Sequence, residues 1–475
     1  MQLCVRAWDS PPTNNRLKKI YTAVFRNWYP SYNWFGRDSG LVTEGLRSIG
    51  VDSKLVILDT PGMPQDDRFL PASREQFCDP EYWTRLNVDA VVLQGGGEAA
   101  TQPVADAIKF GRAKLIYRMD TDGILDPSVD LWLFFYRKWW SMGNPVRLRY
   151  IWWEEMGWKR DRVKGMDAGN APVTLNSALG KEAARYLFRL LLRPIFVPVL
   201  TILKLVFSRH IGAANIAKRL AKADFIFVES KIAVARIQRL LQKTGYPCES
   251  RRVFCLPIPI PQYPSLPVVE NKHNIIITAG RLEDDQKDLK LWVKVVAQFL
   301  HSRPEYKAVI IGNGHRYVQH LIKKYAPRES SNFTVIGRSS PEEIRKWEMK
   351  SKIFLCTSRE ESMHIASAEA ACAGCSVVGP ITIASMQDYA SNQSGAVAQS
   401  RRAADLLDAL FAEASMWESG RRSPLNISSF FNFILAPNHH AQELVDHLIP
   451  PPQTQKHFEL DRLSIMESER PINEP

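Results

Sequence analysis

Short apolar runs alternate with helical segments through the second half of the chain. Asn274–Gly280, Tyr306–Gly314 and Lys352–Cys356 are β-branched or aliphatic runs that end near glycine or a polar loop. Between them lie stretches with helical spacing, and one begins with a capping box at Ser340 and Glu343. Strands that alternate with helices of this length form right-handed crossovers. The pattern therefore predicts a doubly wound α/β domain with a parallel sheet.

The first half shows the same alternation less regularly. A helix is predicted at Ser39–Ile49, after a long polar and aromatic loop that follows the first strand. Strands are predicted at Gln2–Trp8, Ser53–Asp59, Asp89–Gly96, Lys114–Asp120 and Ala223–Ser230.

These patterns divide the chain into two Rossmann-like domains. The boundaries that we expect are 1–255 for the first domain, 256–270 for a proline-rich linker, 271–435 for the second domain, and 436–475 for a C-terminal helix and tail. Ligands of doubly wound sheets bind at the carboxyl ends of the strands. With two such domains facing each other, the expected site is the cleft between them.

The chain has 475 residues, of which 45% are hydrophobic, so it can form two or three domains with their own cores. Its seven cysteines are odd in number and irregularly spaced, which favours a reducing compartment. The N-terminus lacks the pattern of a signal peptide, and no apolar run is long enough to span a membrane. We therefore expect a cytoplasmic protein.

The formal net charge of +12 is concentrated in one segment. Residues Phe134–Leu220 contain 16 Lys and Arg against 5 Asp and Glu, together with several tryptophans. Within this segment, Arg185–Arg209 is strongly apolar, and its cations fall on one arc if it is helical: Arg185, Arg189, Arg193 and Lys204. We expect an interfacial helix that binds the inner face of a membrane. A core helix is the alternative, and the aliphatic side chains disfavour nucleic acid.

The stretch SREESMHIASAEAACAG, Ser358–Gly374, contains two carboxylates eight residues apart. Acidic residues suit helix N-termini, where the macrodipole is positive, and this explains Glu361. It does not explain Glu369, which lies among small apolar residues farther along the same predicted helix. This position raises the question of whether Glu369 holds a ligand.

The second half resembles the retaining glycosyltransferases of family 4, which have the GT-B fold. The motifs that carry the resemblance appear in the family's order: GRLEDDQKDLKLW, VIIGNG, NFTVIGRSSPEE and SREESMHIASAEAACAGCSVVGP. The family hallmark, Glu-x7-Glu followed by Ala and then Gly, corresponds to Glu361, Glu369, Ala370 and Gly374. The first half matches only in the order of its strands.

The resemblance implies a nucleotide-sugar donor linked to UDP, GDP or ADP. Arg281 and Lys287 would neutralise its diphosphate without a metal or other cofactor, Glu361 would face the donor sugar, and Glu369 would hold the ribose. The alternative for the two cations is pairing with the acids of their own loop. Further donor-binding residues are expected at Gly280, Gly337, Arg338, Ser362, Met363 and His364. Ser362 and His364 replace glycines that are usual in the family.

On the acceptor side, we expect Asp120, Gly95 and Gly96 at strand ends of the first domain. Asp120-x-Asp122 could instead be a metal site of the GT-A fold. The family often has a His before this Asp, but this chain has Met119, so no catalytic histidine is assigned. The glycines lack the Gly-Lys-Ser/Thr ending of a P-loop.

Three other interpretations stay open at this stage. Cys372-x-x-Cys375 could be a redox or zinc motif, although packing at the helix end is the simpler explanation. The altered ESMH loop allows a non-catalytic binding or scaffold protein. An epimerase or hydrolase with the same fold is the third. The favoured interpretation is a hexosyltransferase in glycan or polysaccharide assembly, with a glycan or lipid-linked acceptor.

Overall fold

The computed structural model describes residues 18–27, 34–36, 38–125, 212–263, 268–282, 285–390 and 393–449, together with scattered positions from 131 to 202. Two parallel sheets, each flanked by helices, form these regions. This architecture confirms the predicted pair of Rossmann-like folds.

The first sheet has seven parallel strands in the order β3-β2-β1-β4-β5-β6-β7. The switch point lies between β1 and β4, where the order of the strands reverses. Its strands are β1 (Ile20–Asn27), β2 (Leu55–Leu58), β3 (Phe69–Ala72), β4 (Ala90–Gln94), β5 (Lys114–Met119), β6 (Phe225–Val228) and β7 (Val253–Cys255).

One part of the first-half prediction is wrong. Ile20–Asn27, which we placed in a long loop, is β1, and it pairs with β2 on one side and β4 on the other. Its sequence, IYTAVFRN, mixes apolar and polar residues and therefore lacks the alternation of a half-buried strand. As a central strand it is buried on both faces, so even Thr22 is inaccessible. The predicted strand Gln2–Trp8 lies outside the described residues.

Helices cover both faces of the first sheet, and the described residues form two large cores and a small third cluster around Trp34 and Phe69. One core is centred on aromatic side chains such as Phe77, Trp83 and Tyr117, and the other lies beneath the first helix. The helices are α1 (Asp38–Ser48), α2 (Arg74–Phe77), α3 (Pro80–Leu86), α4 (Gln102–Phe110), α5 (Ala213–Leu220), α6 (Lys231–Lys243) and α7 (Pro247–Ser250).

The second sheet has six parallel strands in the order β10-β9-β8-β11-β12-β13. They are β8 (His273–Gly280), β9 (Lys307–Gly312), β10 (Phe333–Ile336), β11 (Ser351–Leu355), β12 (Ser376–Pro380) and β13 (Gly395–Ala398). One continuous core encloses both faces of this sheet.

Helices alternate with the strands of the second half, as the sequence pattern predicts, and further helices follow the last strands. The capping box at Ser340 is present, with the Ser340 side chain accepting from the Glu343 amide. The helices are α8 (Leu289–Ser302), α9 (His315–Tyr325), α10 (Pro341–Lys350), α11 (Ile365–Cys372), α12 (Met386–Tyr389), α13 (Ala403–Glu418), α14 (Pro424–Ile434) and α15 (Pro437–Leu448).

The last helix, α15, packs on the first half of the molecule rather than on the second. Its Ala441, Leu444 and Leu448 join the core beneath α1. Gly45 allows α1 and α15 to approach each other closely. A Cβ atom at this position would lie only 2.0 Å from the carbonyl oxygen of Pro437. The chain therefore crosses between the two halves twice, once in the segment after β7 and once before α15.

The described part of Arg185–Arg209 exposes most of its large apolar side chains, although Val197 is buried. Residues 194–199 are helical, and the large exposed side chains recur at helical spacing: Phe188, Leu191, Ile195, Val199 and Ile202. The cations Arg185, Arg189, Arg193 and Lys204 lie outside the described residues. Where the chain is described, it has no helix with both the length and the hydropathy to cross a membrane.

Gly45→Ala should destabilise the protein by about 1–3 kcal/mol, the usual cost of overpacking, because the Pro437 backbone cannot move aside easily. Ser48→Ala, at an exposed position of the same helix, is the control and should change stability by less than about 0.5 kcal/mol. Urea unfolding followed by circular dichroism measures both. Equal stability of Gly45→Ala and wild type would contradict the close contact between α1 and α15.

Candidate active site

Two loops meet at the carboxyl end of the second sheet. One follows β8 and contains Lys287, and the other follows β11 and contains Glu361. The Lys287 Nζ atom lies 2.7 Å from Glu361 Oε1, and both side chains are largely buried. The structure thus brings together two of the three residues predicted to be catalytic. A cation and a carboxylate held at strand ends can bind a phosphate and a sugar hydroxyl, respectively.

Asp288 connects these two loops through ion pairs. Its carboxylate pairs with Arg359 at 2.9 Å and with Arg401 at 2.6 Å. Arg401 also donates to the carbonyl oxygens of Thr357 and Ser358. Asp288 has a φ of 45°, and its side chain caps α8. This network fixes the backbone on either side of the Lys287–Glu361 pair.

Gly280 and Arg281 complete the loop after β8. Gly280 has a φ of 149°, a conformation that favours glycine, and a Cβ atom there would lie 3.6 Å from Lys287 Cε. Arg281 is exposed at the end of the strand. Gly337 and Arg338, predicted to lie against the base, are exposed directly after β10, at the same edge of the sheet.

Glu369 lies within the second turn of α11 and is half-buried. The neighbouring helix α10 supports α11 at this point, because Arg345 donates to the carbonyl oxygens of Glu369 and Cys372 at 2.7 Å each. Tyr263 of the linker lies beside the Arg345 guanidinium. Burial and the nearby Glu369 carboxylate raise the pKa of Tyr263. Glu369 therefore carries its charge at a junction of α10, α11 and the linker.

The side chains of Met363 and His364 turn inward, away from the loops that face the cleft. The backbone amide of Ile258 donates to the Met363 sulfur at 3.1 Å. His364 has a φ of 56°, which explains why glycine suits this position. Its ring is buried between Cys356 and Ser367, and burial lowers its pKa well below the usual range. Met363 and His364 can therefore contact a nucleotide-sugar donor through their backbone rather than through their side chains.

Ser362 points across to the first half. Its hydroxyl donates a short hydrogen bond to the Asp120 carboxylate, which follows β5. A residue of the predicted donor loop thus contacts a residue of the predicted acceptor side. The two strand-end edges face each other, as the two-domain prediction requires.

A cavity of about 540 Å³ opens at the carboxyl end of the first sheet. Asp120, Gly95 and Gly96, the three residues expected on the acceptor side, all line this cavity. Gly96 lies so close to Tyr117 that a Cβ atom would come within 2.3 Å of the ring. The further residues that could bind a polar ligand are Arg26, Trp34, Asp38, Gln94, Glu98, Thr101 and Arg219.

The Asp120-x-Asp122 pair does not converge on one point. Asp122 is buried, accepts a hydrogen bond from the Ile124 amide and pairs with Arg236, whereas Asp120 faces Ser362. Over the described part of the chain, no three His, Cys, Asp or Glu side chains are grouped so as to hold a metal ion.

Cys372 and Cys375 are buried on the far side of α11 from the cleft loops. Both thiols are inaccessible, and burial raises the pKa of Cys372 to about 12 and that of Cys375 to about 11. The Cys375 thiol donates to the carbonyl oxygen of Glu348. A redox or zinc-binding cysteine needs an accessible thiolate, so this environment favours packing.

Residues 265–414 match the family described as Glycosyl transferases group 1. This range contains the loop after β8, the Lys287–Glu361 pair and α11. No curated protein matches the chain.

Several solved structures share the fold along nearly the whole chain. Sucrose-phosphate synthase from Thermosynechococcus elongatus is 13% identical, with a TM-score of 0.51, and the match covers 95% of this chain and 100% of that one. Anabaena HepE in complex with UDP and glucose is 11% identical, with a TM-score of 0.52 and coverage of 91% and 99%. A glycosyltransferase from Rickettsia africae is 11% identical, with a TM-score of 0.52 and coverage of 90% and 97%.

The fold and the family match define the class of the protein. The chain has the GT-B fold, and its second half is a glycosyl transferases group 1 domain. The family match over residues 265–414 therefore indicates a glycosyltransferase.

Exposed Cys78 and Cys248 should react with iodoacetamide at mildly alkaline pH, whereas Cys372 and Cys375 should react only after denaturation. The reason is that burial keeps the latter pair as inaccessible thiols. Mass spectrometry of peptides from native and unfolded protein measures the difference. Rapid labelling of Cys372 or Cys375 in the native protein, or a disulfide between them, would contradict the packing role.

Proposed function

We propose that this chain transfers a hexose, with retention of configuration, from a nucleoside diphosphate sugar to an acceptor bound in the cavity of the first sheet. The observation that carries the proposal is the Lys287–Glu361 pair, set at the carboxyl end of the second sheet and facing the Asp120 side of the cleft. The family match covers both residues of the pair.

In this proposal, Lys287 and Arg281 stabilise the diphosphate as the bond to the sugar breaks. A lysine acts as a point charge, while an arginine can bind two phosphate oxygens at once. Lys287 pairs with Glu361 in the structure. An arriving diphosphate would take over Lys287, and Glu361 would then be able to accept hydrogen bonds from donor-sugar hydroxyls. Backbone amides at the start of α11 add to the anion site.

Glu369 would hold the ribose, and the base would lie against Gly337 and Arg338. Vicinal hydroxyls are donors that suit a carboxylate. Arg345 donates to two carbonyl oxygens of α11, those of Glu369 and Cys372, so the helix that carries Glu369 is held in place. UDP is the first nucleotide to test, since HepE was solved with UDP and glucose.

The acceptor would occupy the cavity beside Asp120. Carboxylates at Asp38, Glu98 and Asp120, an aromatic wall at Trp34 and cations at Arg26 and Arg219 line this cavity. Such a mixture of aromatic and polar groups suits a hydroxyl-rich glycan. Measuring donor turnover with and without candidate acceptors separates a transferase from a hydrolase, and no turnover of any donor would favour a scaffold.

Lys287→Ala should reduce transfer by about 10²–10³-fold, the effect of removing one preorganised group that stabilises developing charge. Lys294→Ala is the matched control, because Lys294 is an exposed lysine of α8. A steady-state assay that detects release of nucleoside diphosphate, run with a panel of UDP-, GDP- and ADP-sugars, measures both variants. Near wild-type turnover by Lys287→Ala would show that this lysine does not neutralise the leaving group.

We further propose that the segment 185–209 binds a membrane surface as a peripheral contact, which would present a lipid-linked acceptor to the cavity. Five of its described apolar side chains are more than half exposed, Leu191 at 68% and Ile195 at 66% among them, whereas Val197 is buried. The segment precedes α5, and Ile216, Arg219 and Leu220 of α5 line the acceptor cavity. Exposed apolar side chains at helical spacing suit the interface of a bilayer.

Replacing Leu191 and Ile195 together by Asp should abolish co-sedimentation with vesicles of phosphatidylglycerol and phosphatidylcholine. Each apolar side chain contributes about 1.5–3 kcal/mol when it is buried in lipid. Phe110→Asp is the control, because Phe110 is 77% exposed on α4, outside this segment. If the double variant and the control bind vesicles equally well, the segment is not the membrane contact.

A further inference from the structure

Glu229 is a buried acid directly beside the acceptor-side Asp120. The parallel register of β5 and β6 pairs Met119 with Val228, so Asp120 and Glu229 follow side by side at the carboxyl edge of the first sheet. Glu229 is only 2% exposed. Neither of its carboxyl oxygens has a hydrogen-bond partner of ordinary geometry. A buried carboxyl group without such partners calls for an explanation.

Several elements face this carboxyl group. Arg118 lies on β5 and Asp120 directly follows that strand, Cys255 ends β7 and Tyr389 ends α12, while Ser362 comes from the donor loop. Arg118 is the positively charged residue among these side chains. A buried carboxylate beside Asp120 would leave two negative charges next to this one cation.

Arg118 is directed toward the linker rather than bonded to Glu229. Its NH1 atom lies 3.1 Å from His440 Nε2, and His440 Nδ1 lies 2.9 Å from the carbonyl oxygen of Pro257. Since a carbonyl only accepts, Nδ1 carries the proton and Nε2 accepts from Arg118. The Nε and Nη2 atoms of Arg118, like both carboxyl oxygens of Glu229, have no hydrogen-bond partner among the described residues, so Arg118 does not bond to Glu229.

We propose that Glu229 is a positioning residue: its carboxylic acid donates a hydrogen bond to the Asp120 carboxylate, while the Ser362 hydroxyl donates to the same carboxylate from the opposite half. Asp120, held by both, then accepts the hydrogen bond of the acceptor hydroxyl. The statement that Asp120 binds the acceptor hydroxyl rests on the proposed function. The statement that Glu229 and Asp120 share a proton does not.

The charge environment agrees with this arrangement. Burial and the Asp120 carboxylate raise the pKa of Glu229 well above its usual range, against the opposing effect of Arg118. Two adjacent carboxyl groups hold one proton between them more readily than they hold two negative charges. Glu229 is therefore neutral below its raised pKa. Above that pKa it becomes charged, loses the hydrogen bond and repels Asp120, so turnover should decline on the alkaline side.

Infrared spectroscopy across a pH series tests the shared proton without any substrate. The carbonyl stretch of a protonated carboxylic acid should be present at neutral pH and should disappear in Glu229→Gln. Asp120→Asn should move the titration of this band to lower pH, because the repelling charge is removed. Glu348 is the internal control, since it is also buried with a raised pKa, and its band should not respond to Asp120→Asn. A spectrum unchanged by Glu229→Gln would overturn the proposal.

The pH dependence of turnover tests the positioning role, with UDP-glucose hydrolysis as the probe reaction. Glu229→Gln keeps a donor for Asp120, so it should remain active at neutral pH and lose the alkaline decline. Glu229→Leu removes the donor and should lower turnover by about tenfold at every pH. A Glu229→Gln profile identical to that of wild type would overturn the positioning role. If no nucleotide sugar is turned over at all, the proposed function fails. The infrared result alone then decides whether Glu229 and Asp120 share a proton.

Discussion

The ion pair between Lys287 and Glu361 is the interaction on which the rest of the site depends. It joins the loops that leave β8 and β11, two neighbouring strands of a parallel sheet. Asp288, Arg359 and Arg401 hold the backbone of both loops. A pair held this firmly in a largely buried position can exchange partners with a diphosphate at little cost in reorganisation.

The second half was predictable because its strands are short, uniform apolar runs and its helices carry clear capping signals. The Ser340 capping box is where the sequence predicts it. The central strand Ile20–Asn27 was missed, because burial on both faces removes the alternation that marks most strands. Among the candidate site residues, Glu361 and Lys287 were predicted from motif order, and the structure pairs them. Glu229 was not predicted, since a lone acid at a strand end carries no signal without knowledge of its neighbour Asp120.

The two halves are coupled at several points around the cleft. The chain returns from the second half to place α15 against α1, and His440 of α15 joins Arg118 to the linker carbonyl of Pro257. On the open side, Ser362 contacts Asp120. Polar contacts of this kind exchange with water easily, whereas the packing of α15 is apolar. This contrast suits a molecule that opens and closes on its substrates about a fixed hinge.

The central claim is that the two carboxylates of the Glu-x7-Glu motif serve different parts of one donor. Isothermal titration with whichever of UDP, GDP or ADP binds wild type tests it most directly. Glu369→Gln should weaken binding by about 1–3 kcal/mol, the scale of a lost charged hydrogen bond, and a 2′,3′-dideoxy analogue should bind it and wild type alike. Glu361→Gln and the exposed control Glu342→Gln should bind the nucleotide nearly as wild type does. Wild-type affinity in Glu369→Gln would contradict the account.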